Sequence, residues 1–142
     1  ANGHGVPKDV AQAVVWFRKA ADQGNVDAQT ELGLIYVDCE SIYADCEGVP
    51  KDLPQAIIWF LKAADQGDGL AMAFLGALYG NGERMPKDLV AAYQWYDLAT
   101  AHGWESAGER RDEIAKQMTP EQMSEAQSQT SPNGPPKGVT PE

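Results

Sequence analysis

Apolar side chains at Leu53, Ala56, Ile57, Phe60 and Ala64 follow one another at intervals of three and four, the spacing of one face of an α-helix. The block that carries this stripe, residues 48–67, returns 43 residues upstream as residues 5–24. It returns more loosely 36 residues downstream, as residues 84–103. Trp16, Trp59 and Trp95 hold the same place in the three copies, as do the Pro-Lys-Asp triplets that begin at Pro7, Pro50 and Pro86. A second pattern lies between the copies, where Ala28, Leu32 and Gly33 reappear as Ala71, Leu75 and Gly76. A fixed period of this size predicts a solenoid of stacked helix pairs, in which neighbouring repeats share one core because no single repeat buries its own apolar face.

Each repeat reads as two antiparallel helices. The B helix is predicted to open at Asp9, Asp52 and Asp88, where an aspartate at the N-cap accepts hydrogen bonds from free N–H groups of the first turn. Gln12 and Gln55 stand three residues later, as a capping box prefers. The helix is predicted to stop at Gly24, Gly67 and Gly103, since glycine suits the left-handed C′ position. The A helix then covers residues 26–38 and 69–79, with Ala28, Leu32 and Tyr36 stacked on one face. Glycine inside a helix costs ~1 kcal/mol relative to alanine. The recurrence of Gly33 and Gly76 in A helices therefore predicts close packing by bulky B-helix aromatics.

One repeat is longer. Residues 35–41 are followed at once by a near copy, residues 42–48, with five of seven positions identical. Seven residues are nearly two helical turns, so a continuous helix drifts by only ~20°. The expectation is an A helix about two turns longer, with a bulged loop as the alternative. The duplication also created Cys39 and Cys46. In a continuous helix their Cα atoms lie ~10.5 Å apart, beyond the ~7 Å reach of a disulfide. Two free thiols are then expected; in a loop the pair can close. A metal site is the weakest of the three readings, because zinc takes four ligands and neither His4 nor His102 is close in sequence.

The ends differ from the middle. Residues 104–118 occupy the next A position, with Ala107 matching Ala71 but Arg111 and Asp112 in place of Leu75 and Gly76. Such a polar helix cannot stack another copy and is predicted to act as a cap. Thr119, Pro120 and Gln122 then open a short helix, residues 119–129, with a capping box. Residues 130–142 are rich in proline, the composition of disorder or polyproline II. The domain plan is a partial repeat 1–24, a repeat with the heptad insertion 25–67, a repeat 68–103, the cap and the terminal helix. At the other end, Ala1-Asn2-Gly3 stands before Pro7 in the register of Gly80-Asn81-Gly82 before Pro86. The expectation is that at least one upstream helix, and with it any targeting sequence, precedes Ala1. The first B helix would then be half covered at Val14 and Phe17 and prone to self-association.

Charge and chemistry narrow the function. The 142 residues carry a net charge of −10, which disfavours nucleic acid as a partner. No run approaches the ~20 apolar residues of a membrane-spanning helix. No serine has a lysine three residues on, and there is no His-Glu-x-x-His and no phosphate loop. Gly80-Asn81-Gly82 reads as a turn at a helix end, His102 as a helix C-cap, and Glu109 with Glu113 as a solvated face. No cofactor is called for.

The quoted residues resemble the Sel1-like repeat: Ala28, Leu32-Gly33 and Tyr36, then Gly48-Val49 with Asp52, then Ala56, Trp59-Phe60 and Lys62-Ala63-Ala64-Asp65-Gln66-Gly67. The resemblance covers residues 1 to about 118 and extends to Thr119-Pro120-Glu121-Gln122, similar to the tail of many bacterial members. It implies an all-α right-handed α-α superhelix related to the tetratricopeptide fold, acting as a non-enzymatic scaffold for a protein or peptide partner. It also implies a groove lined by A helices. In that register the inward positions are Asp27, Thr30, Leu34, Val37 and Asp38, then Leu70, Ala73, Ala77 and Asn81, and on the cap Ser106, Glu109, Glu113 and Lys116. Cysteine-rich bacterial relatives have been associated with binding or hydrolysing β-lactams, so an enzyme acting on a β-lactam or peptidoglycan is the alternative. Their disulfides link positions that are alanine here, around Ala21 and Ala28. A plain spacer within a longer array is the third reading. The compartment stays open between periplasmic or secreted, given a signal peptide, and cytoplasmic.

Overall fold

The computed structural model describes residues 10–39, 49, 51–82 and 85–129. They form seven α-helices and no strand: α1 (Val10–Asp22), α2 (Val26–Asp38), α3 (Leu53–Asp65), α4 (Gly69–Asn81), α5 (Leu89–Ala101), α6 (Ala107–Gln117) and α7 (Pro120–Gln129). B helices are α1, α3 and α5; A helices are α2, α4 and α6. The chain divides into two compact units, one ending at Ala63 and one starting at Ala64. Asp9, His4 and the proline-rich tail lie outside the described residues.

The caps explain why the helices begin and end where they do. Asp52 Oδ1 accepts from the Gln55 N–H (3.1 Å) and Asp88 Oδ1 from the Ala91 N–H (3.0 Å), each satisfying a first-turn donor. Asn25 and Asp68 do the same for α2 and α4. At the other end, Gly24, Gly67 and Gly103 hold φ of 93°, 92° and 95°, a conformation that side chains resist. In α1 the Asn25 N–H donates to the Ala20 carbonyl and Gly24 to Ala21; in α5 Trp104 donates to Ala99 and Gly103 to Thr100. These are Schellman pairs, which satisfy the last free carbonyls.

The first unit packs in two clusters. Trp59 closes over Ala21, Ala28 and Leu32, while Val10, Ile35 and Cys39 meet lower down; Val14 and Phe17 touch both clusters. In the second unit α5 is central and packs against α4, α6 and α7. Gln94, buried, donates from Nε2 to the Ala126 carbonyl (3.1 Å), which ties α7 to α5. Thr119 and Gln122 form the expected reciprocal capping box at 2.9 and 3.0 Å. The cap helix starts later than expected: Trp104–Ser106 form a turn, and α6 begins at Ala107.

The heptad insertion does not lengthen α2. That helix ends at Asp38, with Cys39 at its C-cap, and is as long as α4. The reason lies in a hydrogen bond that both repeats keep. The Asp52 N–H donates to the Tyr36 carbonyl (2.9 Å), as the Asp88 N–H does to the Tyr79 carbonyl (2.8 Å). The extra residues are therefore taken up in the connection, and both flanking helices keep their register. Cys39 is disulfide-bonded, not a free thiol, and Cys46, the chain's other cysteine, lies outside the described residues. The helical separation that argued against pairing does not apply once the helix stops at Asp38.

Candidate functional site

The A helices carry the positions expected to face a partner. On α2, Leu34, Val37 and Asp38 are half-buried and Asp27 is exposed. Thr30 is only 5% exposed, so it serves packing more than contact. On α4, Leu70, Ala73 and Ala77 are half-buried and Asn81 is exposed. Ser106, the N-cap of α6, and Glu109, Glu113 and Lys116 on it are all exposed. Lys116 lies 3.4 Å from Glu113, both well solvated, an ion pair that contributes little.

The opposite stripe of α2 and of α4 is locked by an aromatic residue. A Cβ at Gly33 would stand 2.5 Å from Phe60 Cε1, and one at Gly76 would stand 2.9 Å from Tyr96 Cδ1. No side chain fits at either position unless the ring moves. The stripe seen in the sequence is thus fixed against a B helix, which sets the orientation of the remaining positions.

Cap and ion-pair chemistry also match residue types. Arg111 Nη1 meets Asp97 Oδ1 at 2.7 Å, and that hydrogen bond holds the guanidinium pKa above its usual value. His102 is the C-cap of α5, its N–H donating to the Leu98 and Ala99 carbonyls. Gly82, with φ of 73°, ends α4, so Gly80-Asn81-Gly82 is a helix terminus.

One feature escaped the sequence reading. A cleft of about 470 Å³ opens beside the α5 N-terminus, lined by Tyr79, Met85, Pro86, Asp88 and, from α7, Gln122. Residues so far apart in the chain carry no joint signal. Burial, reinforced by the negative field of Asp88, raises the Tyr79 hydroxyl pKa, so this phenol stays neutral and is no activated nucleophile. Among the described residues no group of three or more His, Cys, Asp or Glu could hold a metal ion, and no helix is long and apolar enough to cross a membrane.

The Sel1 repeat model matches residues 1–25, 26–68 and 69–104. The chain belongs to the Sel1 repeat family. Members of this family generally act as protein-interaction scaffolds. Two solved structures share the all-α helical-repeat fold. One is a protective antigen present in uropathogenic Escherichia coli strains, displaying an SLR fold: 37% identity over 82% of this chain, with a TM-score of 0.71. The other is a Sel1 repeat protein from Oxalobacter formigenes, with 36% identity over 74% of this chain and a TM-score of 0.61. This Sel1 chain spans 24% of the first protein and 40% of the second. No curated protein matches it.

Proposed function

We propose that this Sel1 chain is a scaffold that takes a peptide or protein partner on the outward faces of its A helices. The observation that supports this most is α4. It carries no charged side chain from Gly69 to Asn81, yet Leu70, Ala73 and Ala77 remain partly exposed. A helix that is apolar all round is normally covered on every side. Small side chains also let another backbone approach closely. On α2, Asp27 and Asp38 border Leu34 and Val37, and α6 adds Glu109 and Glu113. The partner best suited to these strips is an extended or helical segment with small apolar residues and basic flanks.

The test is a peptide-display selection on the immobilised chain, repeated on an Ala73→Arg/Ala77→Arg variant. The selected peptides should bind the parent and lose at least ~tenfold in affinity on the variant. The variant should keep its helicity. Equal binding to both would place recognition elsewhere, and no selected peptide would favour the spacer reading. Hydrolysis of a chromogenic β-lactam by the purified chain would replace the scaffold by an enzyme.

A further inference from the structure

We propose that the cleft beside the α5 N-terminus binds an extended proline-rich segment, and that residues 131–137 of this chain are its occupant. The cleft lies wholly within the second unit and holds about 470 Å³, a volume in the range of ligand sites. Tyr79, Met85, Pro86 and Leu89 form its apolar lining, and Lys87, Asp88 and Gln122 its polar one. The A-helix surface proposed above includes none of these residues, so the two readings stand or fall separately.

The balance of donors and acceptors says what fits. Tyr79 is only 8% exposed. Among the described residues its hydroxyl has no hydrogen-bond partner, and neither has Gln122 Nε2. The acceptors beside them are engaged: Asp88 Oδ1 takes the Ala91 N–H, Gln122 Oε1 the Thr119 N–H, and the Tyr79 carbonyl the Asp88 N–H. The cleft therefore offers donors and few acceptors. Burial and the field of Asp88 both raise the Tyr79 pKa, so the phenol keeps its proton and stays a donor. Lys87 and Asp88 cancel in charge, so the lining gives a carboxylate or phosphate no advantage over a neutral carbonyl.

Proline matches that balance. It brings a carbonyl acceptor and no N–H that would be left unpaired, and its ring packs on an aromatic and aliphatic floor. A polyproline II segment is also preformed, so it loses little entropy on docking. Residues 131–137 read Ser-Pro-Asn-Gly-Pro-Pro-Lys, with prolines at i and i+3; they lie outside the described residues. Their attachment is in place. The bond from Gln94 to the Ala126 carbonyl ties α7 to α5, and Gln122, at the start of α7, is in the cleft wall. From Gln122 to Gln129 the helix runs ~10.5 Å away. Residues 130–134 span up to ~15 Å as polyproline II. Folded back along α7, they bring Pro135 and Pro136 to the cleft.

The test follows the Met85 methyl group by NMR in the full chain, assigned with Met85→Leu. The parent and a Pro132→Ser/Pro135→Ser/Pro136→Ser variant should differ at Met85, whereas the methyl of Met72, buried in α4, should stay in place. An acetylated synthetic peptide of residues 130–138, added to the variant, should return the Met85 signal saturably towards its parent position. It should bind the parent at least ~tenfold more weakly, because the tethered segment competes at a millimolar effective concentration. Tyr79→Phe keeps the ring, and Gln122→Glu keeps the capping-box acceptor; each removes one donor and should weaken the peptide about fivefold on the variant. The proposal is overturned by identical Met85 signals in parent and variant, by no saturation at about 1 mM peptide, or by equal peptide affinity for the two chains. Unchanged affinity after both Tyr79→Phe and Gln122→Glu also overturns it. So does a parent Met85 signal that moves with protein concentration, which would give the cleft to the tail of a second copy.

Discussion

The same residue does different work in different repeats, and burial decides which. Trp59 is in the core of the first unit and Trp16 lies open on α1, although both follow two β-branched residues and precede phenylalanine. Trp59→Ala should therefore cost ~3–5 kcal/mol, and Trp16→Ala within ~0.5 kcal/mol, as read by urea unfolding. Among the described residues the buried Trp59 indole N–H has no partner, so Trp59→Phe should cost much less than Trp59→Ala. Equal midpoints for Trp59→Ala and the parent would show that Trp59 is not a core residue. A second residue-scale prediction concerns alkali. Burial raises the Tyr79 and Tyr96 hydroxyls above the ordinary 10.0; Asp88 reinforces the shift at Tyr79 and Arg110 opposes it at Tyr96. Above pH 10.0 the unfolded chain releases these protons while the folded chain keeps them, so stability should fall as pH rises. Tyr79→Phe should make that fall shallower; an unchanged slope would mean that Tyr79 ionises freely in the folded state. Single residues were legible where their role is local, as with the caps and the C′ glycines. The contrast between Trp16 and Trp59 comes from what covers each helix and not from the helix's own sequence, which is nearly the same around both.

At the scale of elements, helix type and order followed from period and punctuation, whereas the heptad insertion did not. Seven added residues suit either a longer helix or a longer connection, and local propensity does not separate them. The deciding contact is tertiary: the backbone bond from Asp52 to Tyr36 holds both helix ends at the spacing seen between Asp88 and Tyr79. The same ambiguity hid the disulfide, since pairing of Cys39 depends on where α2 stops. Two outcomes are expected. Closing a ring of about eight residues restricts the unfolded chain by about 2–3 kcal/mol, so reduction should lower stability by that amount in urea. Deleting residues 41–47 restores the 36-residue period and shortens the closed connection, which favours folding by about 0.5 kcal/mol relative to the reduced parent. The deletion variant should thus remain helical and fall between the reduced and oxidised parents. A loss beyond about 2 kcal/mol against the reduced chain would mean that the inserted heptad contributes packing of its own. Of the A-helix register positions named from the sequence, all but Thr30 are half-buried or exposed. The cleft beside Tyr79 was not legible in the sequence, because Gln122 reaches it from a helix more than thirty residues away in sequence.

For the whole molecule, charge is the property that acts on fold and partner together. The chain carries 21 acidic and 11 basic side chains. Ion pairs among the described residues include Asp97 and Asp112 with Arg111, and Glu113 with Lys116. The surplus of ten negative charges repels itself, and this self-repulsion opposes the compact state. Raising NaCl from about 10 mM to about 150 mM shortens the screening length from ~30 Å to ~8 Å. The Asp97–Arg111 pair is close and partly buried, so it loses less to screening than the long-range repulsion does. The melting temperature should rise with salt, whereas a basic peptide held on the A-helix strips should bind more weakly over the same range. The two signs separate the contributions: screening the acidic surplus relieves the fold and removes the attraction for the partner. A melting temperature that falls with salt would show that local pairs outweigh the surplus. Peptide affinity that is indifferent to salt would show that recognition rests on the apolar positions Leu34, Val37, Leu70, Ala73 and Ala77 alone.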